Sequence, residues 1–172
     1  MPPAAIRVPV QRRPGAQERI DLVFLWPSLT PPDAGQPPAE RLAPVDELQP
    51  IDRLFVTIGG SDGTLAPAER MKAIYPRYLV GAPQADVGGL AARRFGDATP
   101  YKGEDLIFDP AAPERFVVRC NRGGATPGMC LYERRLGAAD IVVRFPRDWL
   151  AQWQELAAGV DRLIASLRPP GR

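Results

Sequence analysis

The stretch DIVVRFPRDWLAQWQELAAGVDRLIASL, residues 140–167, decides the fold. Its first six residues alternate, with Ile141, Val143 and Phe145 on one side of the chain, which predicts a β-strand that has one covered face. From residue 146 to residue 167, apolar side chains recur at spacings of three and four, which predicts a long amphipathic helix. These side chains are Trp149, Trp153, Leu156, Val160, Leu163, Ile164 and Leu167. We expect this helix to cover the apolar face of a sheet.

The strands of that sheet are predicted from short β-prone runs between Pro and Gly clusters. Three of these runs, residues 105–108, 115–120 and 129–135, precede the strand at 140–145, and their spacing predicts an antiparallel β-meander. Two further strands are expected over residues 20–26 and 52–58. Because runs of strands precede a terminal helix, the fold class predicted is α+β.

The length of 172 residues fits a single domain. Residues 1–50 hold 11 of the 21 prolines, so this Pro-rich N-terminal third is expected to be mostly irregular, with residues 28–49 as a surface excursion. We expect a Pro- and Arg-containing linker or tether over residues 1–17, one α+β domain over 18–168 and a tail over 169–172.

Composition excludes several function classes. The 22 basic and 20 acidic residues give a net charge of +2, which is too balanced to indicate binding of nucleic acid or of an anionic membrane. The sequence contains no histidine, which excludes Ser-His-Asp and Cys-His triads and imidazole metal sites. Its two cysteines cannot build a four-thiolate metal site. We therefore expect no catalytic residues, no metal and no cofactor.

The two cysteines indicate a cellular compartment. Cys120 and Cys130 flank NRGGATPGM, whose Gly and Pro residues favour a hairpin loop that places the thiols opposite each other. We expect a disulfide, with two buried thiols as the alternative. A disulfide favours the periplasm or cell envelope, whereas free thiols would favour the cytoplasm. The start MPPAAIRVPVQRRPG lacks the apolar region of a signal peptide, so the periplasmic interpretation requires that an N-terminal signal or membrane anchor was removed.

The predicted hairpin carries the candidate partner-binding surface, which consists of Arg119, Arg122, Glu133, Arg134 and Arg135. Arginine is enriched at protein interfaces and binds carboxylates through two parallel hydrogen bonds. An ordinary solvated sheet face is the alternative interpretation.

A weaker candidate is an anion-binding turn between the strand at 52–58 and a short helix whose first turn holds Pro67. Its members are Gly59, Gly60, Ser61, Gly63 and Thr64. Backbone N–H groups at a helix start can bind an anion, although the turn matches no phosphate-binding motif and a plain β-to-α turn is the alternative.

Two residue groups have a catalytic or binding interpretation beside a structural one. The acids Glu104, Asp105 and Asp109 are close enough in sequence to pair for acid–base chemistry, but they are better explained as solvated acids that flank a strand. Trp149 and Trp153 can form a binding platform, but their helical spacing favours the core.

These observations predict a non-catalytic, extracytoplasmic domain of a membrane-tethered bacterial protein that binds another protein. Two alternatives stay open. One is an immunity-type inhibitor that blocks a toxin enzyme. The other is a cytoplasmic enzyme that uses carboxylates or a Cys thiolate.

Overall fold

The structure is a computed structural model that describes residues 3–32, 51–124 and 128–167. Its strands are β1 (Arg19–Leu25), β2 (Arg53–Gly60), β3 (Leu79–Ala85), β4 (Ala91–Phe95), β5 (Glu104–Phe108), β6 (Val117–Asn121), β7 (Met129–Leu136) and β8 (Ala139–Pro146), and its α-helices are α1 (Pro67–Ala73) and α2 (Trp153–Leu167). The strands form one antiparallel sheet in the order β1-β2-β8-β7-β6-β5-β4-β3. This confirms the predicted α+β fold, in which a C-terminal helix covers an antiparallel meander.

The meander runs without interruption from β3 to β8, and the hairpin of β1 and β2 extends the sheet beyond β8. β2 pairs with β8 from Phe55 opposite Arg144 to Gly60 opposite Ala139. Most of the excursion expected over residues 28–49, the tail at 169–172 and residues 125–127 of the hairpin loop lie outside the described residues.

The main core lies between one face of the sheet and α2. Directly opposed apolar residues of six strands form a continuous row on this face: Leu22, Val56, Val143, Tyr132, Val118 and Ile107. Each is at most 1% exposed. Leu156, Val160, Leu163 and Ile164 of α2 pack against this row. Removal of this apolar area from water is the main stabilising contribution to the fold.

The final helix begins later than the predicted residue 146. Pro146 ends β8 with an extended backbone, residues Arg147–Gln152 form a 3-10 helix, and α2 starts at Trp153. The N–H of Arg147 bonds to the carbonyl of Gly128, which continues the β7–β8 ladder past the proline. The periodic pattern therefore marks the buried face correctly but includes a segment that is strand and 3-10 helix.

Two strands, β3 and β4, were not predicted. β3 contains Gly81 and Pro83, and six of its seven residues are exposed, so no apolar alternation reveals it. Its exposure follows from its position at one edge of the sheet. β4 is only five residues long and carries two arginines in its centre, Arg93 and Arg94.

The sheet face opposite α2 carries a smaller core under α1. Tyr75, Phe95 and Leu106 are its buried members, and Met71 and Ile74 pack against them. This confirms the short helix expected near Pro67.

The segment expected to be a linker, residues 1–17, is packed against the sheet over much of its length. Two 3-10 helices, Pro3–Ala5 and Pro9–Arg12, lie beside β1, and Ile6 forms an isolated bridge with Leu22. Ala5 is fully buried. These residues shield the outer edge of β1 and belong to the folded body.

Candidate functional site

The β6–β7 hairpin positions most of the predicted site residues, and a disulfide fixes its register. Cys120 and Cys130 lie directly opposite each other, both are fully buried, and they are bonded. Since both thiols are consumed in this bond, neither is available to the thiolate version of the enzyme alternative, and the bond does not bear on the carboxylate version.

Arg119 lies on the α1 face of the sheet, and 16% of its side chain is exposed. Its Nη1 donates to Glu104 Oε2 at 2.6 Å, and its Nε is 3.6 Å from Glu133 Oε2. Its guanidinium also stands 5.1 Å from the ring centre of Tyr101. Arg119 therefore ties β5, β6 and β7 to the aromatic cluster under α1.

Glu133 and Arg135 lie on the same face as Arg119. Glu133 Oε1 accepts a hydrogen bond from Arg70 Nη2 of α1 at 3.0 Å. Arg135 binds the Asp140 carboxylate through two nitrogens at 2.7 and 2.8 Å, and it donates to the carbonyl of Thr64. The three residues form a row along β6 and β7 in which each charge has an ionic partner.

The other two predicted residues point elsewhere. Arg134 lies on the α2 face, where its Nη1 donates to Tyr132 Oη at 2.7 Å and to Asp161 of α2 at 3.0 Å. Arg122 follows the end of β6 and is 3.3 Å from Asp105. The structure therefore brings together three of the five predicted partner-binding residues and separates the other two.

A groove lies beside this row, and sequence patterns did not reveal it. It has a volume of about 530 Å³ and opens between α1, the segment before β6, and β7. Pro67, Ala68 and Met71 of α1 form one wall, and Pro113 and Val117 lie opposite. Glu133, Arg134 and Arg135 also line it, so part of the predicted surface borders a concave, mostly apolar site.

Two exposed cations, Lys72 and Arg115, stand at the rim of the groove. Neither forms an ion pair within residues 3–32, 51–124 and 128–167, in contrast to the arginines of the row. A sequence signal for this site would have required knowledge that α1 packs beside β7, because residue 72 and residue 115 are far apart in the chain.

The acids near β5 serve as ion-pair partners. Asp105 is only 7% exposed, on the α2 face, and its two oxygens face Arg122 and Arg147 at 3.3 and 2.8 Å. This corrects the interpretation of Asp105 as a solvated acid, because two guanidinium groups compensate its burial. Glu104 binds Arg119, and Asp109 accepts a hydrogen bond from the N–H of Ala111.

The candidate anion turn is divided between two structures. Gly59 and Gly60 are part of β2 and pair with β8, so they are not turn residues as predicted. In the turn itself, Asp62 Oδ1 accepts a hydrogen bond from the N–H of Thr64. Hydrogen bonding with the Thr64 side chain, and then with this N–H, lowers the pKa of the Asp62 carboxyl. A carboxylate of the chain thus occupies an N–H group that an anion would need.

Trp149 and Trp153 pack within the fold. Trp149 stacks on Trp26 with ring centres 5.2 Å apart. Trp153 lies against Phe116 at 4.9 Å, and its Nε1 donates to the carbonyl of Gly88 at 2.9 Å. Both side chains join the main core as partly buried members, as the structural interpretation of their spacing predicts.

The described part of the chain has neither a cluster of metal-ligating side chains nor a helix that could span a membrane. Within it, no three His, Cys, Asp or Glu side chains lie close enough together to hold a metal ion. None of its helices has the length and apolar character that a membrane span requires.

The fold resembles that of a bacterial immunity protein. No protein-family model matches the chain, and no curated protein does. A solved structure of an immunity protein of the Stenotrophomonas maltophilia type IV secretion system aligns with a TM-score of 0.65 at 14% identity. The alignment covers 99% of this chain and 89% of that one. At this identity the likeness establishes a common fold.

Proposed function

We propose that the protein is an immunity-type inhibitor that binds a toxin and blocks its activity without catalysing a reaction. The observation that carries the proposal is the likeness to the secretion-system immunity protein, which extends over 99% of this chain. Of the functions expected from the sequence, this likeness favours the inhibitor over an unspecified accessory domain.

The chemistry of the site supports binding over catalysis. The charged groups along β6 and β7 are held by partners of opposite charge, as in the pairs of Arg119 with Glu104 and Arg135 with Asp140. A general acid or base needs a pKa matched to its task and access to a substrate proton. Groups held in ion pairs instead present a fixed pattern of charge, which suits recognition of another protein.

We propose that the inhibitor works in an oxidising compartment such as the periplasm. The buried Cys120–Cys130 bond supports this location, because disulfides persist outside the reducing cytoplasm. We also propose that a membrane anchor tethers the domain, and this anchor would lie N-terminal to the folded body.

Growth protection tests the proposed function. The chain is co-expressed with each toxin encoded beside its own gene, once without and once with an export signal on both proteins. An immunity protein restores growth against one toxin and not against unrelated toxins, and restoration only in the exported arrangement supports the periplasmic location. A folded, expressed chain that protects against none of these toxins would refute the proposal.

A further inference from the structure

The groove beside β7 coincides with a gap in the sheet. The β6–β7 ladder ends where Val118 pairs with Tyr132. The β7–β8 ladder continues to Leu136, which pairs with Ala139. Over residues 134–136, β7 is therefore paired on one side only within the described chain, and the groove lies on the other side.

The backbone of β7 directs hydrogen-bonding groups into this gap. In an antiparallel strand, successive residues turn their N–H and C=O groups to alternate sides. The carbonyl of Gly128 bonds toward β8, and the N–H of Met129 bonds to Asn121 at the end of β6. By this alternation Glu133 and Arg135 face away from β8, but the N–H of Glu133 bonds to the carbonyl of Val117 as part of the ladder around Val118 and Tyr132. The carbonyl of Glu133 and both backbone groups of Arg135 therefore remain to pair with an extended chain placed in the groove.

The side chains around the gap define what such a chain would carry. The apolar side chains of Met71 and Val117 line the groove, which suits an apolar side chain of the bound segment. Among the exposed charges that line the groove and have no ionic partner in the described residues, the cations Lys72 and Arg115 outnumber the one acid, Glu114, which favours a carboxylate next to the apolar position. The three residues of β7 that are paired on one side only span about 10 Å, the length of a short strand.

We propose that this groove binds an extended segment of the partner protein, with alternating apolar and acidic side chains, as an added strand on β7. The inference rests on the proposed function for the source of the segment, which would belong to the toxin. The other uncovered edge, β3, is the competing site, but Pro83 and the irregular pairing between Val80 and Gln84 make it a poor template.

Amide exchange on the isotope-labelled full chain tests the groove without the toxin. The probe is an N-acetylated, C-amidated octapeptide of alternating valine and glutamate, and the comparison peptide has lysine in place of glutamate. We expect the acidic peptide to slow exchange of the Arg135 amide at least about tenfold and to shift the resonances of residues 133–136. The lysine peptide should have no such effect.

Charge reversal separates the groove from general electrostatic attraction. Lys72→Glu with Arg115→Glu should weaken binding of the acidic peptide by about tenfold, the combined effect of two lost surface ion pairs. Arg94→Glu with Lys102→Glu changes the net charge equally at exposed positions away from the groove and should leave binding unchanged. Circular dichroism verifies that both variants are folded.

Three results would overturn the inference: equal binding of the lysine peptide, shifts confined to β3, or no effect of millimolar acidic peptide on residues 133–136. The outcome is independent of the growth assay. Peptide binding without protection against any toxin would refute the proposed function, but the groove would still be a binding site for an extended segment. If the folded Lys72→Glu, Arg115→Glu variant still protects and the acidic peptide does not bind, the groove is not the binding site. The proposed immunity-type function would then still stand.

Discussion

The Cys120–Cys130 bond should make a measurable contribution to stability. It closes a loop of about 11 residues, and the chain-entropy relation gives about 2.8 kcal/mol at 25 °C for a loop of that size. With a urea m-value of about 2 kcal/mol/M, reduction should lower the unfolding midpoint by about 1.4 M. Both cysteines are fully buried, so the protein must be reduced in denaturant and refolded in reductant before the measurement.

A matched variant isolates the effect of the bond. In the double variant Cys120→Ala with Cys130→Ala, reductant should not change the urea midpoint. In the wild type, the midpoint of the oxidised protein should exceed that of the reduced protein by about 1.4 M. Intact mass after alkylation establishes the redox state of each sample. Oxidised and reduced wild type with midpoints within about 0.3 M would show that the bond does not stabilise the fold as this reasoning requires.

Three further predictions concern the sheet and the helix that covers it. A hydrogen bond from Arg19, with others from Gln11 and Thr57, lowers the pKa of Asp21 to about 2. Asp21→Asn should therefore lower the free energy of unfolding by about 1–2 kcal/mol at pH 7. Urea unfolding at decreasing pH should show this difference disappear between about pH 4 and pH 2, as the carboxyl is protonated. Trp153→Ala should cost about 2–3 kcal/mol in urea unfolding, through lost packing and the lost hydrogen bond to Gly88. Gly88→Ala should destabilise more than Gly89→Ala by about 1 kcal/mol, because both glycines have positive φ but only a Cβ on Gly88 would meet Trp153 and Leu150, at 3.0 Å.

For each of these three predictions, a specific result would contradict the reasoning. A difference between wild type and Asp21→Asn that persists unchanged at pH 2 would contradict the lowered pKa, since protonation of the carboxyl must abolish the charged interaction with Arg19. A loss below about 1 kcal/mol for Trp153→Ala would place the indole outside the core and restore the binding-platform interpretation. Equal losses for the two glycine variants would mean that only backbone strain matters at Gly88.

Local patterns predicted those parts of the fold where burial is regular. Two patterns each indicate an element with one buried face, and both elements occur as expected. They are the alternation of Ile141, Val143 and Phe145 in the strand and the spacing of Leu156 and Val160 on the helix. β3 was not predicted because an exposed edge strand buries neither face, so its sequence shows no alternation of apolar residues. Pairing of β2 with β8 joins residues 79 to 89 positions apart, and no local pattern specifies it.

The candidate site was less predictable for a related reason. Sequence alternation places Arg119 and Glu133 on one hairpin, and the disulfide at Cys120 and Cys130 follows from the same argument. The groove depends on the position of α1 over the sheet and on the point at which the β6–β7 ladder ends. Both are consequences of tertiary packing, which residue spacing alone does not determine.

The most direct test of the account is titration of the toxin's activity with the purified, disulfide-bonded protein. The toxin is the one identified by growth protection, and its activity is measured at a concentration well above the dissociation constant of the complex. We expect activity to fall linearly and to reach its minimum at one molar equivalent, because inhibition arises from a stable complex. Full activity in the presence of excess folded protein would contradict it.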